Sequence, residues 1–207
     1  MEIRLKWAII ATVIIVGLGG GFLIFAYFQK ISSAPRSYTD YQLRLWQNAL
    51  DKDPKNPTIL TNIGFVYLKA NQGRSALHYL EQALKYDPKF VPALYNLGIY
   101  HKKNGDSKSA INYLQQAGKY APAGNKYLAY FSIGEIYQTE KKYDLSIQYY
   151  KQSLADDNGI WNAYWQLGRV YEAKGDKVLA LENYKSAARF NPDNEVLAAR
   201  IKKLSGK

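Results

Sequence analysis

Residues 58–88 read TILTNIGFVYLKANQGRSALHYLEQALKYDP, and the same arrangement returns three times downstream. Gly64 recurs as Gly98, Gly134 and Gly168, at intervals of 34, 36 and 34 residues. The residue before each glycine is Ile or Leu: Ile63, Leu97, Ile133 and Leu167. Three after it stand Tyr67, His101, Tyr137 and Tyr171, and twelve after it Ala76, Ala110, Ser146 and Ala180. Sixteen after it come Leu80, Leu114, Tyr150 and Tyr184, and nineteen after it Ala83, Ala117, Ser153 and Ala187. Pro88, Pro122 and Pro192 close three of the units, where the third has Asn158. Self-similarity at a fixed period of this length marks a stack of supersecondary units.

Each class of position has a physical reason. Spacings of three and four residues gather the apolar set on one helical face. Gly and Ala fall where two helices of a hairpin cross closely, and the larger Tyr, Leu and Ile fill the space between hairpins. The closing proline cannot continue a helix and ends the unit. Between the two halves, Asn71, Gly105 and Gly175 occupy equivalent turn positions suited to a left-handed backbone. The third unit departs most, with Ser146 for alanine, Lys141 at the turn and two extra residues, about Ala123-Gly124, before it.

This pattern resembles the tetratricopeptide repeat, whose signature is W-x2-L-G-x2-Y…A-x3-F…P. The resemblance covers about residues 57–192 and implies an all-α chain, a right-handed solenoid of helix-turn-helix units. The units fall at 57–90, 91–126 (with the insertion), 127–160 and 161–194. Residues 40–56, with Trp46, Ala49 and Pro54, read as an N-terminal capping helix, the second half of a unit, with Thr39 and Gln42 as its capping box. Residues 195–207 read as a C-terminal capping helix with Val196, Leu197 and Ile201 apolar. Such end helices shield a stacked core from water.

The stretch from Trp7 to Phe28, WAIIATVIIVGLGGGFLIFAYF, carries no charge over 22 residues. As a helix it would be about 33 Å long, against a hydrocarbon core of about 30 Å. It exceeds the apolar run of a cleaved signal peptide, and Pro35 follows the small-residue site Ser32-Ser33-Ala34. An uncleaved signal-anchor at 7–28 is therefore expected, behind a short segment 1–6 and ahead of a polar linker 29–39. Gly17 and Gly21 form a GxxxG spacing that could pair two such helices into a homodimer. Arg4 and Lys6 ahead of the span favour a cytoplasmic N-terminus, placing the repeats outside (periplasmic in a bacterium). Lys30, Arg36 and Arg44 behind it nearly balance that rule, so a cytoplasmic repeat domain is the alternative.

No enzyme chemistry is expected. The chain has no Cys, which removes disulfides, thiol catalysis and cysteine zinc sites. Its two histidines, His78 and His101, have no ligand-spaced partner, and no metal or cofactor site is expected. There is no phosphate-cradling Gly-rich loop and no Ser/His/Asp set, and Asp156-Asp157 reads as a solvated pair of acids. Basic residues outnumber acidic ones 28 to 17. From Ile31 on the balance is 25 to 16, scattered rather than in runs, which argues against nucleic acid and leaves anionic lipid or nucleic acid as a lesser alternative.

The family resemblance implies that partners are proteins or peptides, held on the concave face lined by the first helix of each unit. Carried onto this sequence, that face comprises Thr61, Phe65, Tyr95, Ile99, Phe131, Glu135, Trp165 and Arg169, with Lys69, Lys102 and Lys103 as a basic rim. Large rigid aromatics such as Tyr95, Phe131 and Trp165 make peptide anchors at low entropy cost. Members that grip acidic chaperone C-termini carry Lys and Asn in the first unit and Lys or Arg in the third. This chain has Thr61, Phe65, Leu128 and Ser132 there, matching only at Asn96. The expected function is thus a membrane-anchored scaffold or adaptor. A chaperone-like accessory of an export, secretion or envelope-assembly machine is the alternative.

Overall fold

The computed structural model describes residues 37–206. Among them are ten α-helices and no strands: α1 (Tyr38–Lys52), α2 (Pro57–Lys69), α3 (Gly73–Tyr86), α4 (Val91–Lys103), α5 (Ser107–Tyr120), α6 (Tyr127–Thr139), α7 (Tyr143–Asp156), α8 (Trp161–Ala173), α9 (Lys177–Phe190) and α10 (Glu195–Ser205). No helix among the described residues is long and apolar enough to cross a membrane. The span expected at 7–28, with its Gly17–Gly21 face, lies outside the described residues. The chain divides between Leu45 and Trp46, and the helix pairings that follow all lie in the part after that boundary.

The repeat is realised as four hairpins, α2–α3, α4–α5, α6–α7 and α8–α9. The second helix of each packs on the first helix of the next, and α9 packs on α10. Each landmark glycine makes its hairpin possible. A Cβ on Gly64 or Gly98 would lie 2.7 Å from Leu80 Cγ or 2.6 Å from Leu114 Cγ. On Gly134 and Gly168 it would lie 2.7 Å and 2.5 Å from the rings of Tyr150 and Tyr184. The residue sixteen positions on thus occupies the volume that a side chain on the glycine would need.

Tyr150 and Tyr184 are wholly buried, and each hydroxyl donates to the first helix of its own hairpin: to Gln138 Oε1 at 2.6 Å and to Glu172 Oε2 at 2.8 Å. In the first two units, Leu80 and Leu114 have no hydroxyl to satisfy, and Leu68 and Lys102 stand opposite. Glu172 also accepts from Arg200 Nη1 at 2.9 Å, which ties α10 to the last hairpin.

The turns expected at Asn71, Gly105 and Gly175 are left-handed, with φ of 58°, 78° and 84°, and Lys141 adopts the same conformation at 58°. Helix starts are capped by Asn56, Asp106, Asp176 and Asn194. Three details differ from the sequence reading. At α1 the cap is Ser37, whose Oγ accepts from Asp40 N at 3.1 Å, so the helix begins ahead of Thr39. Val196 is 60% exposed while Leu197 is buried, because one residue turns a helix through about 100°. α1 has no fully buried residue, and Leu50 is its contribution to the core of the first hairpin.

Candidate functional site

The first helices α2, α4, α6 and α8 carry the residues expected on the inner face. Phe131 and Trp165 are partly buried against the second helix of their own hairpin, with ring centroids 5.4 Å from Tyr150 and 5.0 Å from Tyr184. Tyr95 and Ile99 are half-buried on α4. Burial raises the Tyr95 phenol above its ordinary range, with Ser132 and Glu135 of α6 beside it. Phe65 is 43% exposed, and the Lys69 ammonium lies 5.2 Å from its ring centroid.

Two rim cations are engaged within the array. Lys102 donates to Glu135 across the junction between the second and third units, and Lys103 donates to Asn71 Oδ1 of the first. Arg169 donates to Gln166 Oε1 at 3.1 Å and is exposed. Thr61 stands apart. It is 4% exposed, and its hydroxyl has no partner among the described residues.

A cavity lies at the junction of the second and third units. Its volume is about 430 Å³, within the usual range for a small-ligand pocket. Val91, Pro92 and Tyr95 of α4 line it with Leu128 and Ala129 of α6, and Pro122 and Asn125 close it from the loop. The wall is apolar except for the amide groups of Asn96 and Asn125. Of the residues expected on the inner face, only Tyr95 lines this cavity.

The cavity sits where the array is irregular. The α5–α6 loop spans 121–126, whereas the other connections between hairpins, 87–90 and 157–160, are two residues shorter. Asp156 holds this longer loop. Its carboxylate accepts from the backbone N–H of Gly124, Lys126 and Tyr127 at 2.9, 2.7 and 2.9 Å. The start of α6 has no side-chain cap of its own, since Lys126 cannot accept, so the end of α7 supplies one. Asp156 is therefore a structural cap rather than a solvated acid. Its neighbour Asp157 accepts from Gly159 N at 2.9 Å in a local turn. A sequence signal for Asp156 did exist: the equivalent positions are Tyr86, Tyr120 and Phe190.

Beside this loop, Lys89 and Lys119 each place an ammonium 5.5 Å from the ring centroid of Tyr120. Among the described residues neither has a carboxylate partner within 4.0 Å. The described residues also hold no group of three or more His, Asp or Glu placed to bind a metal. The arrangement is suited to contact, with an apolar socket, two amides and adjacent unpaired cations.

Residues 67–129 and 133–195 each match a model of the tetratricopeptide repeat. No curated protein matches the sequence. Among solved structures, the MamA protein is similar over 74% of this chain and 83% of its own, at 25% identity and a TM-score of 0.63. YrrB, described as a tetratricopeptide-repeat protein with an unusual peptide-binding site, is similar at 24% identity and a TM-score of 0.61, over 87% of this chain and 89% of its own. PilW, a type IV pilus biogenesis factor, is similar at 22% identity and a TM-score of 0.67, over 78% and 76%.

Proposed function

The chain is built from tetratricopeptide repeats, and on that premise we propose that it is a membrane-anchored adaptor whose inner face captures a segment of a partner protein. The observation that carries this reading is the apolar cavity between α4 and α6, which Tyr95 lines. An extended segment would seat one bulky apolar side chain among Val91, Pro92, Tyr95 and Leu128. Its backbone would bond to the amides of Asn96 and Asn125. Lys89 and Lys119, unpaired beside the loop, favour a segment with carboxylates flanking the apolar residue. Phe65, Trp165 and Arg169 extend the contact surface to either side, and Phe131 and Ile99 line the path between them.

The anchor rests on the uncharged stretch 7–28, whose length and composition suit a bilayer. The proposed topology puts residues 1–6 in the cytoplasm and the repeats on the far side. Protease added outside intact cells or spheroplasts should remove the repeat domain, and full protection would reverse that topology. A second reading, an accessory subunit of an envelope-assembly machine, draws on the likeness of fold to PilW.

The peptide reading is tested by selecting from a displayed random-peptide library on the full chain held in detergent micelles. Enrichment of sequences with a bulky apolar residue beside Asp or Glu is the expected result. Selection that yields nothing above background overturns it, and broad apolar enrichment without acidic flanks supports the accessory, chaperone-like reading instead.

A further inference from the structure

The first turns of α1 carry an apolar stripe. Tyr38, Tyr41 and Leu45 are 78%, 52% and 49% exposed. At about 100° per residue, the three fall within an arc of about 60°. Leu50, through which this helix reaches the core, lies about 150° around the axis from the middle of that arc. The exposed Arg44 borders the stripe about 60° from Tyr41, and Asp40 lies about 130° from its centre. One side of the helix is therefore aromatic and aliphatic with Arg44 at its edge, and the two acids of the helix, Asp40 and Asp51, lie beyond Arg44, about 130° and 110° from the centre of the stripe. Tyrosine, leucine and arginine in this arrangement are what a helix lying in a bilayer interface presents.

The position of the stripe in the chain names its occupant. Phe28, the last residue of the uncharged stretch, stands ten residues before Tyr38, so the stripe can lie no more than about 36 Å from the end of that stretch. Lys30 and Arg36 fall between them, and no acid does. A tether of this length keeps α1 within reach of the headgroup layer, and the intervening Lys30 and Arg36 suit an anionic surface.

We infer that α1 lies along the membrane, with Tyr38, Tyr41 and Leu45 in the headgroup region of an anionic bilayer and Arg44 against lipid phosphate. This rests on the anchor proposed above. The chain then meets lipid twice, through the span and through an interfacial helix face. The second contact fixes the direction in which α1 leaves the membrane, which a flexible linker alone would leave free.

The absence of cysteine allows single labelling sites to be introduced one at a time. The full chain is reconstituted into vesicles of phosphatidylcholine with phosphatidylglycerol, carrying an environment-sensitive dye at Ile15→Cys, Tyr41→Cys, Gln47→Cys or Val178→Cys. Quenching by lipids spin-labelled at shallow and deep positions is then read. Gln47 sits on α1 about 150° from the stripe, and Val178 is exposed on α9. The expected result is deep quenching at Ile15, shallow quenching with a blue shift at Tyr41, and severalfold weaker quenching at Gln47 and Val178.

No quenching at Ile15 removes the anchor and this inference with it. Quenching at Ile15 with equal signals at Tyr41 and Gln47 overturns the interfacial face alone. A blue shift at Tyr41 without lipid quenching also overturns it, and shows the stripe covered by protein, such as a second copy of the chain.

Discussion

Gly168 leaves 2.5 Å between the place of its missing Cβ and the Tyr184 ring. That ring cannot swing freely, because its hydroxyl is bonded to Glu172. Gly168→Ala gains about 1 kcal/mol of helix propensity but overpacks at a cost of about 1–3 kcal/mol. Urea denaturation should show a net loss of stability, and a net gain would mean that the hairpin has slack. Thr61 gives the opposite sign. Its hydroxyl is buried without a partner among the described residues, so Thr61→Val, close to isosteric, should raise stability by about 1 kcal/mol in the same assay. The glycines were legible because an invariant small residue in a periodic pattern has a direct packing cause. The fate of Thr61 was not, because its position in the repeat says which face it is on and not what covers that face.

At the scale of helices, α6 depends on a carboxylate from the far end of its own hairpin. Asp156→Asn removes the charge and keeps one acceptor oxygen, so the three N–H bonds to the loop are weakened together. The expected loss is about 1–2 kcal/mol in thermal or urea denaturation, the upper range for a helix cap. A change confined to a few tenths would mean that water replaces the cap at no cost. The insertion was visible in the sequence, but its consequence was not: a pair of adjacent acids looks the same whether solvated or capping, and only the fold brings residue 156 to residue 126. The hairpin helices also carry a pH signature. Burial pushes the phenols of Tyr150 and Tyr184 well above their ordinary range, helped at Tyr184 by the bond to Glu172. The folded state holds these protons more tightly than the unfolded chain. Their stabilisation is therefore whole below the unfolded phenol pKa of about 10 and falls as pH rises above it, approaching about 1.4 kcal/mol per pH unit for each. Urea midpoints taken from about pH 9 to about pH 11 should decline, and Tyr150→Phe should decline less steeply.

Across the whole molecule, the repeat architecture followed from the period. The cavity did not, since its lining draws on the longer α5–α6 loop through Pro122 and Asn125, and the repeat register assigns Leu128 no contact role. Two of the expected aromatic anchors also serve in packing. Phe131 and Trp165 rest on Tyr150 and Tyr184, so truncating either removes packing as well as surface, and a loss of binding in Trp165→Ala alone would be ambiguous. Leu128 is 45% exposed and lines the cavity, which makes it the cleaner probe. The most direct measurement is therefore a binding isotherm for a library-selected peptide on the full chain and on Leu128→Asp, with thermal melts of both. Adaptor function through this cavity predicts affinity weakened by about thirtyfold or more, some 2 kcal/mol, with the melt unchanged. An unchanged dissociation constant in a well-folded Leu128→Asp protein would contradict it.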